Sequence, residues 1–188
     1  MERYIYDDMV KLIRDQKHDY LNHLQVIMGN LQLEKRDKAL NYLRQVTSNL
    51  LEVGPITKLD NSYLSILLLI ALQKSRNLGV NLCFNIEPPA PSCRYYRQET
   101  IDFFYLMLNT TIDYIARLKQ EENWLKVTYK EDFQESQWEL TMAPILAYGS
   151  LYRSLRKKQE LAGNIYGSLS INQPPGLTAI ILSIPKNN

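Results

Sequence analysis

The sequence predicts an α+β chain in two parts, a helical hairpin over residues 1–54 and an α/β sandwich over 55–188. Three observations lead there. Residues 2 to 33 carry apolar side chains at helical spacing with no proline among them. Gly54-Pro55 interrupts a second helical run and marks the boundary. Beyond it, helical stretches alternate with short segments of period two, such as Val80 to Ile86.

The elements follow in order. The first helix runs from Glu2 to Leu33. Its positions Ile5, Met9, Leu12, Ile13, Tyr20, Leu24, Ile27, Met28 and Leu31 centre on one side at about 100° per residue. A long amphipathic helix must bury that stripe. Glu34 to Asp37 is a charged corner, and a second helix spans Asp37 to Val53, with Leu43, Val46, Leu50 and Val53 spaced by threes and fours. A short loop between two helices makes an antiparallel hairpin. One hairpin buries little, so a homodimer that completes a four-helix bundle is the expected arrangement.

Asp60 to Asn77 reads as a helix, with Asp60 or Asn61 as N-cap and Gly79 as the stop. Val80 to Ile86 is a strand, and Pro88 to Pro91 a stiff loop. Glu99 to Lys119 is a helix. Trp124 to Lys130 and Gln137 to Met142 form a strand pair, Ile145 to Leu161 a helix, and Ser168–Ile171 with Thr178–Ile184 a closing hairpin. Helices then cover one face of a sheet.

Composition excludes several classes. A net charge of +2 gives no reason to expect nucleic acid or an anionic membrane as partner. The two cysteines, Cys83 and Cys93, share no metal-ligand spacing and read as reduced thiols of a cytoplasmic protein. The N-terminus lacks the apolar core of a signal peptide. The most apolar run, Tyr63 to Leu72, has roughly half the length that a bilayer-spanning helix needs.

The candidate chemistry lies on the first helix. His18 falls opposite the apolar stripe, and Lys11, Asn22, Gln25 and Gly29 share its side. Asp19 adjoins it. A neutral imidazole displayed to solvent is a good nucleophile toward an acyl phosphate near pH 7. His23 falls nearer the stripe and reads as a packing or hydrogen-bonding residue. The run His18-Asp19-Tyr20-x-Asn22-x-Leu24-x-x-Ile27-x-Gly29-x-Leu31 resembles the phosphoacceptor helix of the sporulation-initiation phosphotransferase B family, a helix shared with citrate- and malate-type sensor kinases. The resemblance implies that His18 is the phosphorylation site and that the hairpin dimerises through a four-helix bundle.

After residue 60 the order of elements is similar to the ATP-binding domain of histidine kinases, in altered form. The helix Phe104 to Asp113 keeps one asparagine of the kinase pattern, Asn109. The stretch after Met142 has neither an acidic residue nor a glycine turn, and Gly149 has no glycine partner two residues on. Phosphate binding by backbone N–H groups calls for glycines, and the chain has seven in all. The resemblance therefore implies a degenerate kinase ATPase-like α/β domain that binds no ATP, with Asn109 and Asp113 structural.

The expected function is a cytoplasmic phosphorelay histidine phosphotransferase. It would take a phosphoryl group from an aspartyl phosphate on one response-regulator receiver domain and pass it to another. No cofactor would be bound by this chain, and Mg2+ would come with the regulator. Asp19 is either a solvated charge or a partner that fixes the His18 tautomer. Asn22 is either a polar surface residue or a holder of a phosphoryl oxygen or a water. Lys11, Arg14, Gln25 and Gly29 are candidates for contact with the regulator. Two rivals stand beside this reading: an ATP-dependent histidine kinase with an unusual pocket, and a non-catalytic dimeric adaptor that binds a regulator.

Overall fold

The computed structural model describes residues 2–86, 93, 96–118, 123–132, 134–143, 148–161 and 167–186, without the side chains of 2–5, 148 and 161. The chain divides into two compact units, Met1–Gly54 and Pro55–Asn188. The first holds α1 (Glu2–Gln32) and most of α2 (Arg36–Thr57). The second holds α3 (Ser62–Asn77), β1 (Asn81–Ile86), α4 (Gln98–Arg117), β2 (Trp124–Glu131), β3 (Glu135–Met142), α5 (Tyr148–Leu161), β4 (Ser168–Asn172) and β5 (Thr178–Pro185). The fold class is α+β, as the sequence predicts.

α1 ends in a Schellman turn built on an unexpected residue. Glu34 takes the left-handed conformation, φ 59°. The Lys35 N–H donates to the Asn30 carbonyl at 2.8 Å and the Glu34 N–H to the Leu31 carbonyl at 3.0 Å, which satisfies two otherwise orphaned acceptors. α3 closes with the same pair of bonds around Gly79, φ 68°. There the Val80 N–H donates to Ser75 at 2.9 Å and the Gly79 N–H to Arg76 at 3.1 Å.

Within the first unit, the faces of α1 and α2 are only half-buried at Met9, Leu12, His23, Ile27, Tyr42 and Val46. Ala39 is the one buried side chain among that unit's described residues. A second face of α1 stays open: Tyr6, Val10, Ile13, Tyr20, Leu24 and Leu31 are all exposed, Ile13 at 61% and Leu24 at 56%. Their spacing alternates by threes and fours, with Lys17 and Ile27 in the intervening positions. That is the seven-residue repeat of a helix with a helical partner. On α2, Leu43 and Leu50 are exposed in the same way.

α2 does not stop at Val53 as its pattern suggests. It continues through Gly54 and Pro55 to Thr57. Pro55 cannot donate to the carbonyl one turn back, a loss of about 3 kcal/mol in a helix interior and smaller near an end. Ile56 offsets it: the side chain is fully buried, which returns roughly 1.5–3 kcal/mol. Its carbonyl also accepts from Ser65 Oγ at 2.9 Å.

The second unit is one five-stranded sheet in the order β1-β2-β3-β5-β4. β1 and β2 are parallel, with Phe84 opposite Val127. The remaining pairs are antiparallel, with Leu125 opposite Met142 and Trp138 opposite Leu182. Period-two alternation gives one dry face. Leu125, Val127, Tyr129, Trp138, Leu140 and Met142 are buried there, while Lys126 and Lys130 point to the other side. α4 covers the dry face through Phe103, Phe104, Met107, Leu108 and Ile112, and Phe104 lies 4.7 Å from the Trp138 ring.

The two N-cap candidates of α3 divide the work. Asn61 caps the helix, its Oδ1 accepting the Leu64 N–H at 3.0 Å. Asp60 accepts the Cys93 N–H at 2.7 Å, and Asn61 Nδ2 donates to the Cys93 carbonyl at 3.2 Å. Cys93 is thereby held by its backbone and fully buried. Two of the tyrosines in this unit, which no sequence pattern explains, show what their polar tips do. Tyr96 Oη bonds Ser136 Oγ at 2.6 Å and accepts from Trp138 Nε1 at 3.2 Å. Tyr63 donates to Asp102 at 2.6 Å. The expected Pro88–Pro91 loop and the start of the Ile145–Leu161 helix lie outside the described residues.

Candidate phosphoacceptor site

His18 sits in the middle of α1, on the side away from the half-buried face. Its side chain is 75% exposed. Asn22, one turn on, places Nδ2 3.0 Å from His18 Nδ1. The i, i+4 spacing of a helix brings the two side chains together. Asp19 Oδ1 stands 4.0 Å from the same nitrogen, beyond direct hydrogen-bond distance. His18 Nε2 has no hydrogen-bond partner among the described residues. The ring is thus fixed on one edge and open to solvent on the other.

The other candidates line the same side. Lys11 and Arg14 precede His18 by seven and four residues, Gln25 follows by seven, and all three are exposed. Gly29 is half-buried, and a Cβ built there would meet nothing within 4 Å. The surface around it has room for the backbone of another chain to approach.

His23 behaves differently. It is half-buried, its Nδ1 lies 2.9 Å from Tyr42 Oη, and the two rings stand 5.7 Å apart. This contact ties α1 to α2. Spacing places His23 toward the packed face; only the structure identifies Tyr42 as its partner.

In the second unit, Asn109 Nδ2 donates to the Tyr105 carbonyl of its own helix at 3.0 Å. Asp113 pairs with Lys74 at 2.7 Å, and Lys158 donates to Thr110 Oγ1 at 2.7 Å. Among the described residues no group of three or more His, Cys, Asp and Glu side chains is placed to hold a metal ion. An open cavity of about 560 Å³ is lined by Gly149, Tyr152, Arg153 and Ile171. The segment after Met142 that lacks a glycine turn, residues 144–147, lies outside the described residues.

Comparison with protein families matches residues 1–59 to the alpha-helical domain of the SpoOB-type sensor kinase family. The match covers the phosphoacceptor-like motif and bears out its resemblance over that segment. Comparison with curated proteins gives no match. Among solved structures, the histidine kinase AdeS of Acinetobacter baumannii is 12% identical, covers 91% of this chain and 98% of that chain, and has a TM-score of 0.48. Histidine kinase ThkA in complex with response regulator protein TrrA is 12% identical over 98% of this chain and 64% of that chain, with a TM-score of 0.48. No helix of the described residues is long and apolar enough to cross a membrane.

Proposed function

We propose that this chain is a phosphorelay histidine phosphotransferase of the sporulation-initiation type, working in the cytoplasm. His18 accepts a phosphoryl group from the aspartyl phosphate of one response-regulator receiver domain and delivers it to another. The observation that carries the reading is an imidazole with a solvent-facing Nε2 on a rigid helix, in a motif that lies within the SpoOB-type match. Acyl phosphates and phosphohistidines are both high-energy species, so transfer can run either way. The chain's task is to hold the imidazole in line with phosphorus. Lys11 and Arg14 complement an acidic receiver surface, and Gln25 and Gly29 extend the contact along α1. Mg2+ belongs to the regulator, and this chain binds no cofactor.

The working form is a homodimer. A hairpin with a single buried side chain among its described residues does not hold itself together, and each large apolar residue of its open stripe gains roughly 1.5–3 kcal/mol on full burial. A second copy supplies the same stripe and completes a four-helix bundle.

The test is transfer of radiolabel from phosphorylated receiver domains. The wild-type chain and His23→Ala become labelled, and His18→Ala does not, while both variants keep the circular dichroism of the parent. Label on His18→Ala at the wild-type rate overturns the assignment. An unlabelled wild-type chain that still binds a receiver domain makes it an adaptor. Label taken from the γ-phosphate of ATP makes it a kinase.

A further inference from the structure

We propose that Lys17 and Thr47 form a single polar layer in the apolar contact between two copies of this chain, and that this layer sets the direction and register in which the copies pair. The proposal rests on the homodimer reading above and deepens it. The open stripe of α1 has a counterpart on α2. Leu40, Leu43, Thr47, Leu50 and Gly54 follow one another by threes and fours, and the three leucines and Thr47 are exposed. Each stripe lies about a quarter turn round its helix from the half-buried contact between the two helices, in the sense that puts both on one side of the hairpin. The His23–Tyr42 contact fixes their relative level. Lys17 precedes His23 by six residues and Thr47 follows Tyr42 by five, so the two stand within about 1.5 Å of each other along the hairpin. The neighbouring levels pair Tyr20 with Leu43 and Leu24 with Leu40 on one side, and Ile13 with Leu50 on the other. The one charge of the α1 stripe and the one hydroxyl of the α2 stripe thus share a level.

Two copies can lay these faces together in two directions. When they point the same way, each α1 lies across from the other copy's α2, and Lys17 of one faces Thr47 of the other. When they point opposite ways, each α1 lies across from its own counterpart, and Lys17 faces Lys17. Thr47 Oγ1 donates to the Leu43 carbonyl at 2.9 Å, which leaves its lone pairs to accept from an ammonium. A lysine across from a lysine meets a like charge and no acceptor, which disfavours the opposed pairing. Sliding one copy by seven residues sets the ammonium against Leu40 or Gly54, whose side chains accept nothing. A lysine at one interior position of a helical repeat costs stability and selects one pairing.

The experiment uses the full chain with Cys83→Ser and a nitroxide on Lys35→Cys, at the corner between α1 and α2; buried Cys93 takes no label. Pulsed electron spin resonance reads the distance between the labels of the two copies, and sedimentation reads the dissociation constant. Pairing in the same direction puts both corners at one end, whereas opposed pairing separates them by about 45 Å or more, the length of the 31-residue α1. The chain with Lys17 and Thr47 intact is expected to give one short population, below about 30 Å, since neighbouring helix axes lie about 10 Å apart. Lys17→Leu should tighten the dimer roughly tenfold or more and add the long population, because uniform stripes accept both directions. Lys17→Thr combined with Thr47→Lys exchanges the two groups and should keep the single short population. A long or mixed population with both residues intact overturns the proposal. So does a Lys17→Leu dimer that keeps the single short population, whatever its affinity, or an exchange variant that loses it. If the chain with both residues intact sediments as a monomer, the homodimer reading fails and takes the layer with it; if it sediments as a dimer, the distances decide the layer alone.

Discussion

At the residue scale, the sequence reveals side-chain position more readily than backbone conformation. His18 is legible as an exposed histidine because helical periodicity alone places it opposite Leu24 and Leu31. Its contact with Asn22 has i, i+4 spacing, yet the sequence reading offers Asp19 as the tautomer partner, which stands 4.0 Å from Nδ1, and offers Asn22 only for a phosphoryl oxygen or a water. The tether from His23 to Tyr42 is not legible, because it crosses between helices and has no fixed spacing. Glu34 is the least legible of all. Gly79 announces a left-handed stop, whereas a glutamate in the same conformation announces nothing. An L-residue pays about 1–2 kcal/mol there, from the close approach of Cβ to the following carbonyl. Glu34→Gly removes that cost and leaves the two capping bonds in place, while a freer unfolded chain gives back up to about 1 kcal/mol. Stability should rise by about 0.5–1 kcal/mol, measured as a higher denaturant midpoint at constant m-value. A lower midpoint would show that the glutamate side chain contributes more than its conformation costs.

At the element scale, strands and helix cores followed from periodicity, while ends and breaks did not. The β2–β3 pair, the closing hairpin and α4 lie within a few residues of their expected bounds, because alternation and the apolar face extend over their whole length. α2 overran its expected end because Ile56 finds a buried place, a fact of tertiary packing that Gly54-Pro55 overrides in any local reading. β4 depends on a close approach that no pattern marks. A Cβ at Gly167 would lie 2.7 Å from the Ser183 carbonyl oxygen, inside the contact limit and against backbone rather than a movable side chain. Gly167→Ala should destabilise the chain by about 1–3 kcal/mol, as overpacking does. Thermal unfolding of the full chain checks this, and an unchanged midpoint would mean that the start of β4 shifts freely.

At the scale of the whole molecule, apolar surface is distributed unevenly. The second unit buries most of its large side chains on one sheet face; the first leaves its seven-residue repeat in water. That contrast was readable in outline, since a long stripe on a short hairpin has nowhere to go. What covers the stripe was not. If a second copy covers the stripe, Leu24→Glu places an unpaired charge in a dry contact at a cost of about 3–5 kcal/mol per copy. Sedimentation should then show a dimer for wild type at micromolar concentration and a monomer for the variant. A wild-type monomer under those conditions would rule out the self-paired bundle.

The clasp that Asp60 and Asn61 close on Cys93 gives the protein an internal clock of its own opening. Burial, reinforced by the negative charge of Asp60, pushes that thiol up to about 12, while Cys83 lies exposed on the sheet edge. The folded chain therefore holds Cys93 as the unreactive thiol at pH 8. An alkylating reagent should therefore modify Cys83 in a fast phase and Cys93 only at the rate at which the second unit opens. Because the folded value is raised above the ordinary 9.0, the thiol adds nothing to pH dependence below that point, and stability should fall as pH climbs from 9.0 toward about 12. Equal modification rates for the two cysteines in the native state would mean that the clasp is open far more often than its hydrogen bonds imply.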